Sequence, residues 1–168
     1  MIIRNAEKHE MEFLRQQRIE AYTSHRDSIP DDHWKGLKKA ISSDADQQTG
    51  VDLIVAEVGG DLLGSVALFP PQSDAYEGNV EELEYPEIRM LAVAPEAQGK
   101  GIASRLIEEC INRTKDKGYT AIGLHTGEFM KDAMRLYERF GFKRMPKYDF
   151  VPANDGIVVK AYRLILKR

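Results

Sequence analysis

The stretch from residue 87 to residue 141 most constrains the fold, because strand, helix, strand and helix follow one another there without a linker. "EIRMLAV" (87–93) is an apolar strand. "GIASRLIEECINRTKDKG" (101–118) places Ile102, Leu106, Cys110 and Ile111 on one helical face, and Gly118 closes it as a C-cap. "YTAIGLHT" (119–126) is a second strand, and "KDAMRLYERFG" (131–141) a second helix ended by Gly141. A β-α-β-α-β core of this kind, completed by "FKRMPKYDFV" (142–151) and "GIVVKAYRLIL" (156–166), predicts a mixed α/β fold.

The first half supplies the remaining layers. "MIIRNA" (1–6) opens as a strand, and "EKHEMEFLRQQRIEAYTS" (7–24) and "IPDDHWKGLKKAIS" (29–42) follow as helices. "VDLIVAEVGGDLLGSVALFP" (51–70) is a hairpin turning at Gly59-Gly60-Asp61. No repeat or flexible linker divides the chain, so 1–168 is expected to be a single domain.

Two glycines, Gly99 and Gly101, stand at the mouth of the helix beginning near residue 101, where glycine costs about 1 kcal/mol relative to alanine. The first N–H groups of a helix have no partner within it, and the helix dipole favours an anion there. Glycines beside small Ala103 let such donors reach a phosphate, although an ordinary glycine-rich turn would look the same. A dinucleotide fingerprint is disfavoured, since Ser104 stands where its third glycine belongs. A phosphate loop around Gly60 and Gly64 fails because no Lys-Ser/Thr pair follows.

A net charge of −3 gives no support to general nucleic-acid binding. The single cysteine, Cys110, excludes an internal disulfide framework and a multi-cysteine metal site, and its place on the apolar face predicts a buried, inert thiol. His25 and His33 near Trp34 lack matching ligands, so no metal is expected. The charged N-terminus is unlike a signal peptide and no apolar run reaches membrane-spanning length, which gives a cytoplasmic, soluble protein as the expectation.

Gln98-Gly99-Lys100-Gly101-Ile102-Ala103 resembles the Q/R-x-x-G-x-G/A pyrophosphate loop of the GCN5-related N-acetyltransferase (GNAT) superfamily. "AMRLYERFGF" (133–142) resembles that family's second signature, A-x-x-L-Y-x-x-x-G-F, at the usual separation. The resemblance covers the element order of nearly the whole chain. It implies a mostly antiparallel sheet flanked by helices and splayed between its fourth strand (87–93) and its fifth (119–126), with acetyl-CoA as cosubstrate in the gap and no metal.

On that resemblance, backbone groups of Leu91, Ala92 and Val93 hold the pantetheine arm, and Gln98 through Ser104 hold the pyrophosphate. Met130 and Ala133 border the cofactor from the second signature. Tyr137 matches the tyrosine that protonates the departing thiolate, while its spacing alone also fits a core position. Glu87 is the candidate base, with Glu84 as the alternative, and a solvated edge residue would read the same. Many members carry Asn where this chain has Met130.

The acceptor side implied by the family comprises Tyr22, His25, Trp34, the acidic stretch 74–87, Tyr148 and Phe150. Asp74, Glu77, Glu81, Glu82, Glu84 and Glu87 lie in that stretch without a basic neighbour, which suits a primary amine, either a small cation or a lysine-like or N-terminal amine. The expected activity is N-acetylation by direct attack of the amine in a ternary complex. The alternatives are a non-catalytic acyl-CoA sensor or partner-binding module and a transferase using another acyl donor. Dimers are common in the family, but no interface is legible in the chain.

Overall fold

The protein is described here by a computed structural model of residues 1–72 and 83–167. The carboxylates of Asp74, Glu77, Glu81 and Glu82 lie outside those residues.

Seven strands form one sheet in the order β1-β2-β3-β4-β5-β7-β6. They are β1 (Ile2–Asn5), β2 (Asp52–Val58), β3 (Asp61–Phe69), β4 (Glu87–Val93), β5 (Ala121–Gly127), β6 (Lys143–Arg144) and β7 (Val159–Ile165). The helices are α1 (Met11–Thr23), α2 (Asp31–Ile41), α3 (Ile102–Asp116) and α4 (Lys131–Arg139). Every strand pair is antiparallel except β4–β5, which the α3 crossover makes parallel.

Strand β2 shows why its sequence is a continuous apolar run. Ile54 and Ala56 face a core that includes Leu106, Ile107 and Cys110 of α3, whereas Leu53 and Val55 face Leu14 of α1. Successive side chains point to opposite faces, and both faces are covered by helix. Gly118, at φ +87°, ends α3 in the left-handed conformation expected of a C-cap. Cys110 is fully buried, and burial pushes its thiol up to about 12, as an inert core cysteine requires.

Two boundaries differ from the sequence reading. The segment 7–24 begins with a short 3₁₀ turn, so α1 starts only at Met11. The expected strand 142–151 shrinks to Lys143–Arg144, because Pro146 cannot donate to a ladder and the chain makes a 3₁₀ turn there before an isolated bridge from Phe150 to Val159.

One buried ion pair anchors α1. Arg18, fully buried, donates from Nη1 to the Ile41 carbonyl at 2.7 Å and faces Asp46 Oδ2 at 3.3 Å, while Arg15 donates to Asp46 Oδ1 at 2.9 Å. Removing one partner strands the other charge, so Asp46→Ala is expected to cost about 3–5 kcal/mol, read from the urea unfolding midpoint.

Candidate active site

The ladder between β4 and β5 holds only two registered pairs, Glu87 with Gly123 and Ile88 with Leu124. Strand β4 stays paired with β3 as far as Val93, opposite Gly64. Between Arg89 and Val93, the β4 edge that faces β5 therefore has no strand registered against it among the described residues. This is the V-shaped gap expected between the fourth and fifth strands.

A bulge in β4 shapes the gap. Ser65 pairs with Ala92 and Ala67 with Arg89, so β4 takes one residue more than β3 over that step. Met90 absorbs it at φ +59°, a left-handed conformation that a side-chain-bearing residue adopts only when the surroundings impose it. The bulge redirects the backbone of Leu91, Ala92 and Val93 just beyond it. Ala92 is buried while Leu91 and Val93 are partly exposed, so their side chains also serve the core.

At the C-terminal end of β4, a short 3₁₀ turn (Pro95–Ala97) leads through exposed Gln98, Gly99 and Lys100 to α3. Gln98 donates to the Val93 carbonyl at 3.4 Å. Gly99 and Gly101 sit at φ +80° and +82°, and a Cβ built on either would meet nothing within 4 Å. Glycine is thus required there by backbone conformation rather than by crowding, and the space beside it is open. Gly101 is the N-cap of α3 with no side-chain cap, and the first helical hydrogen bond is Arg105 N–H to its carbonyl. The N–H groups of Ile102, Ala103 and Ser104 precede that first bond and have no intrahelical acceptor. No acidic side chain occupies this first turn, which suits an anion.

Tyr137 lies on α4, 6% exposed, in the same core as Ile88 and Leu124, with its ring edge-on to Phe142 at 5.9 Å between centroids. Met130 caps α4, and its Sδ accepts from Thr126 Oγ1 at 3.6 Å. The Met130 thioether packs beside the apolar cluster of α1 and α2. Ala133 is partly buried against the main core.

Glu87 occupies the base of the gap, 3% exposed. Its Oε1 accepts from Arg89 Nη2 at 2.7 Å, and its Oε2 is 2.9 Å from His125 Nδ1. The other ring nitrogen of His125 faces the Tyr148 carbonyl at 3.1 Å. The ring is thus held at both nitrogens, between the Glu87 carboxylate and the Tyr148 carbonyl. Burial alone would raise the Glu87 pKa, but His125 and Arg89 together outweigh it and hold the carboxyl below its ordinary range. Arg89 also lies over the Phe69 ring at 4.4 Å. His125 and Arg89 were missed in the sequence because their partner is 38 residues away in one case and a strand neighbour in the other. Glu84 is exposed.

Of the expected acceptor residues, Tyr22 and Trp34 belong to the interior: they are 9% and 6% exposed and pack with Ala21, Ile29, Ile41 and Ala92. The α1 and α2 faces that carry them are needed to cover β4, which removes both from a solvent-facing wall. His25 remains half-buried, with its ring edge-on to Phe129 at 5.4 Å. His33 is buried and bound through Nδ1 to Asp155 Oδ2 at 2.8 Å, which makes it a tie between α2 and the segment before β7. Tyr148 and Phe150 border the opposite side, where the Phe150 ring is 5.6 Å from His125.

The fold is one shared with known acetyltransferases. A GNAT-family acetyltransferase from Staphylococcus aureus Mu50 superposes with a TM-score of 0.72 at 16% identity, covering 99% of each chain. The PaiA N-acetyltransferase of Thermoplasma acidophilum, solved in complex with coenzyme A, superposes with a TM-score of 0.71 at 18% identity over 98% of each chain. The acetyltransferase (GNAT) family matches residues 11–142, and the chain belongs to that family. Among curated relatives, the probable N-acetyltransferase family 8 member 5 of Mus musculus is 32% identical over 94 residues, which is 56% of this chain and 39% of the relative. The mycothiol acetyltransferase of Cellulomonas flavigena is 37% identical over 92 residues, 54% of this chain and 26% of the relative. The matched regions thus span well under half the length of these two proteins. Among the described residues, no helix is long and apolar enough to cross a membrane.

Proposed function

We propose that the protein is an acetyl-CoA-dependent N-acetyltransferase acting on a primary amine by direct attack in a ternary complex. The observation that carries this reading is the opening of β4 away from β5 beside an uncapped helix N-terminus. The open β4 edge offers backbone partners to the pantetheine amides, and the α3 N–H groups offer donors to the pyrophosphate. Gln98 through Ser104 form the phosphate grip, Leu91, Ala92 and Val93 the pantetheine edge, and Met130 and Ala133 the border on α4. The thioester then lies between β4 and Tyr137, whose hydroxyl protonates the leaving thiolate. Starting from the ammonium, acetyl transfer breaks the thioester C–S bond and forms the amide C–N bond; of the two protons the nitrogen loses, one restores Tyr137 after it has protonated the thiolate, and the other is released alongside free CoA.

Glu87 is the proposed acceptor of that proton. It is ionised at neutral pH and so able to take a proton through an intervening water, although the neighbours that favour its ionised form also weaken it as a base. On this reading Glu87→Gln slows thiol release more at pH 7, where the amine is protonated, than at pH 9. Equal and unimpaired rates at both pH values would remove the role.

A second reading rests on the same two neighbours: Glu87 anchors Arg89 and His125, the amine enters uncharged, and bulk water takes the proton. It predicts the same proportional loss in Glu87→Gln at both pH values. Thiol release from acetyl-CoA across a panel of amines tests the activity itself. Tight acetyl-CoA binding with no release under any condition would instead favour a sensor.

A further inference from the structure

We infer that Arg144 and Asp149 are positioning residues for Glu87, acting on it through the Tyr148 carbonyl and the His125 ring. This rests on the reading of Glu87 as proton acceptor and assigns the groups that keep its carboxylate in place. His125 stands on β5 opposite Ala161 of β7, and its side chain is only 1% exposed. Its Nδ1 lies 2.9 Å from Glu87 Oε2, and its Nε2 lies 3.1 Å from the Tyr148 carbonyl. What one ring nitrogen binds fixes how the other is presented, so the Tyr148 carbonyl sets the face that His125 offers to Glu87.

A carbonyl in a turn is a fixed partner only when the turn itself is fastened. Strand β6 is two residues long, too short to hold the segment that follows it. The Arg144–Asp149 pair does so instead, and it fastens the turn to Ala161, the residue registered with His125. Asp149 Oδ1 accepts from the Ala161 N–H at 2.8 Å and from Arg144 Nη1 at 2.8 Å, while Oδ2 accepts from Arg144 Nη2 at 2.6 Å. Arg144 Nη1 also donates to the Ala161 carbonyl at 2.9 Å, and the Met145 N–H reaches the same oxygen at 2.9 Å. Within the turn, the Tyr148 N–H donates to the Met145 carbonyl at 3.0 Å and the Asp149 N–H to the Pro146 carbonyl at 3.1 Å. A two-pronged pair of charged groups fixes geometry as well as adding strength. The circuit closes on itself: His125 beside Ala161 in the sheet, Ala161 bound to Asp149, and the adjoining Tyr148 carbonyl back on the His125 ring.

The test measures thiol release from acetyl-CoA with spermidine, 2-phenylethylamine and Nα-acetyl-lysine as probe amines, together with the nitrogen resonances of the four histidine rings. Asp149→Ala and His125→Gln are each expected to lower kcat by about tenfold or more, within the roughly hundredfold that a misplacement of about 1 Å costs, with KM for acetyl-CoA unchanged. His125→Asn, whose amide nitrogen takes the place of Nδ1 and still reaches Glu87, should recover most of that rate. In a Glu87→Gln background neither change adds a further loss, because both act through that carboxylate. In Asp149→Ala the His125 Nδ1 resonance should move toward its position in Glu87→Gln, while that of His33, bound to Asp155, stays in place. Should Asp149→Ala not fold, the same measurements on Asp149→Asn decide, since that variant keeps Oδ1 for Ala161 and Arg144. A further loss in the Glu87→Gln background, or an unmoved His125 Nδ1 resonance, overturns the inference while the acetyltransferase reading stands. Unimpaired release by Glu87→Gln at pH 7 and pH 9 alike removes the base role and this inference with it. With no probe amine turning over, the ring resonances alone decide.

Discussion

Tyr137→Phe is expected to lower turnover by about 10²–10⁴-fold, the usual range for a positioned general acid, with acetyl-CoA affinity unchanged. The substitution deletes one oxygen and keeps the ring. The edge-on contact with Phe142 therefore persists, and the site, 6% exposed, keeps its volume. A phenol titrates near 10 and a free thiol near 8.5, so proton transfer in water is uphill by about 2 kcal/mol. That cost is small beside the barrier of acyl transfer, so a phenol held at the leaving sulfur can protonate it as the C–S bond breaks. The measurement is steady-state thiol release alongside calorimetric titration with acetyl-CoA. Unchanged turnover would remove the acid role, and lost affinity would place Tyr137 in binding instead.

Gly101→Val should abolish measurable acetyl-CoA binding at concentrations that saturate the native protein. At φ +82° a residue bearing a side chain costs about 1–2 kcal/mol, and a β-branched one stands at the upper end. The valine would also project into the open space beside the first turn of α3, separating the Ile102, Ala103 and Ser104 N–H groups from the pyrophosphate. Each hydrogen bond to a charged group contributes about 1.5–3 kcal/mol. Losing one such bond together with the conformational cost weakens binding by about 10²–10⁴-fold. Gly101→Ala is the control, since it imposes a conformational cost with far less bulk and should bind at an intermediate level. The N-cap lies outside the packed core, so the thermal midpoint should fall only by a few degrees. An unaffected Kd in Gly101→Val would mean that the α3 N-terminus does not grip the cofactor.

The helices and strands between residues 87 and 141 were legible because each carries local punctuation. Gly101 opens α3, Gly118 closes it, and Gly141 follows α4, at φ +82°, +87° and +97° respectively. Apolar spacing on α3 pointed correctly to Ile102, Leu106 and Cys110 as core. The strand expected over 142–151 was less legible, because residue type there favours extension while Pro146 and the bond from Met145 N–H to the Ala161 carbonyl decide the path. Tyr22 and Trp34 illustrate another limit. Aromatic residues on helices near a cleft read alike whether they line it or fill the layer beneath, and only packing against Ala92 put these two beneath.

The sequence by itself determined the order of elements, the mixed α/β class and the glycine-bearing helix start, because these follow from periodicity and from backbone conformations that few residues tolerate. Tertiary structure decided what meets across the sheet. It joined Glu87 to His125, bound His33 to Asp155, and laid Phe129 over Gly127. The Glu87 and His33 partners lie 38 and 122 residues away along the chain. Such contacts arise from strand register and layer packing, where a shift of one residue turns every side chain to the other face.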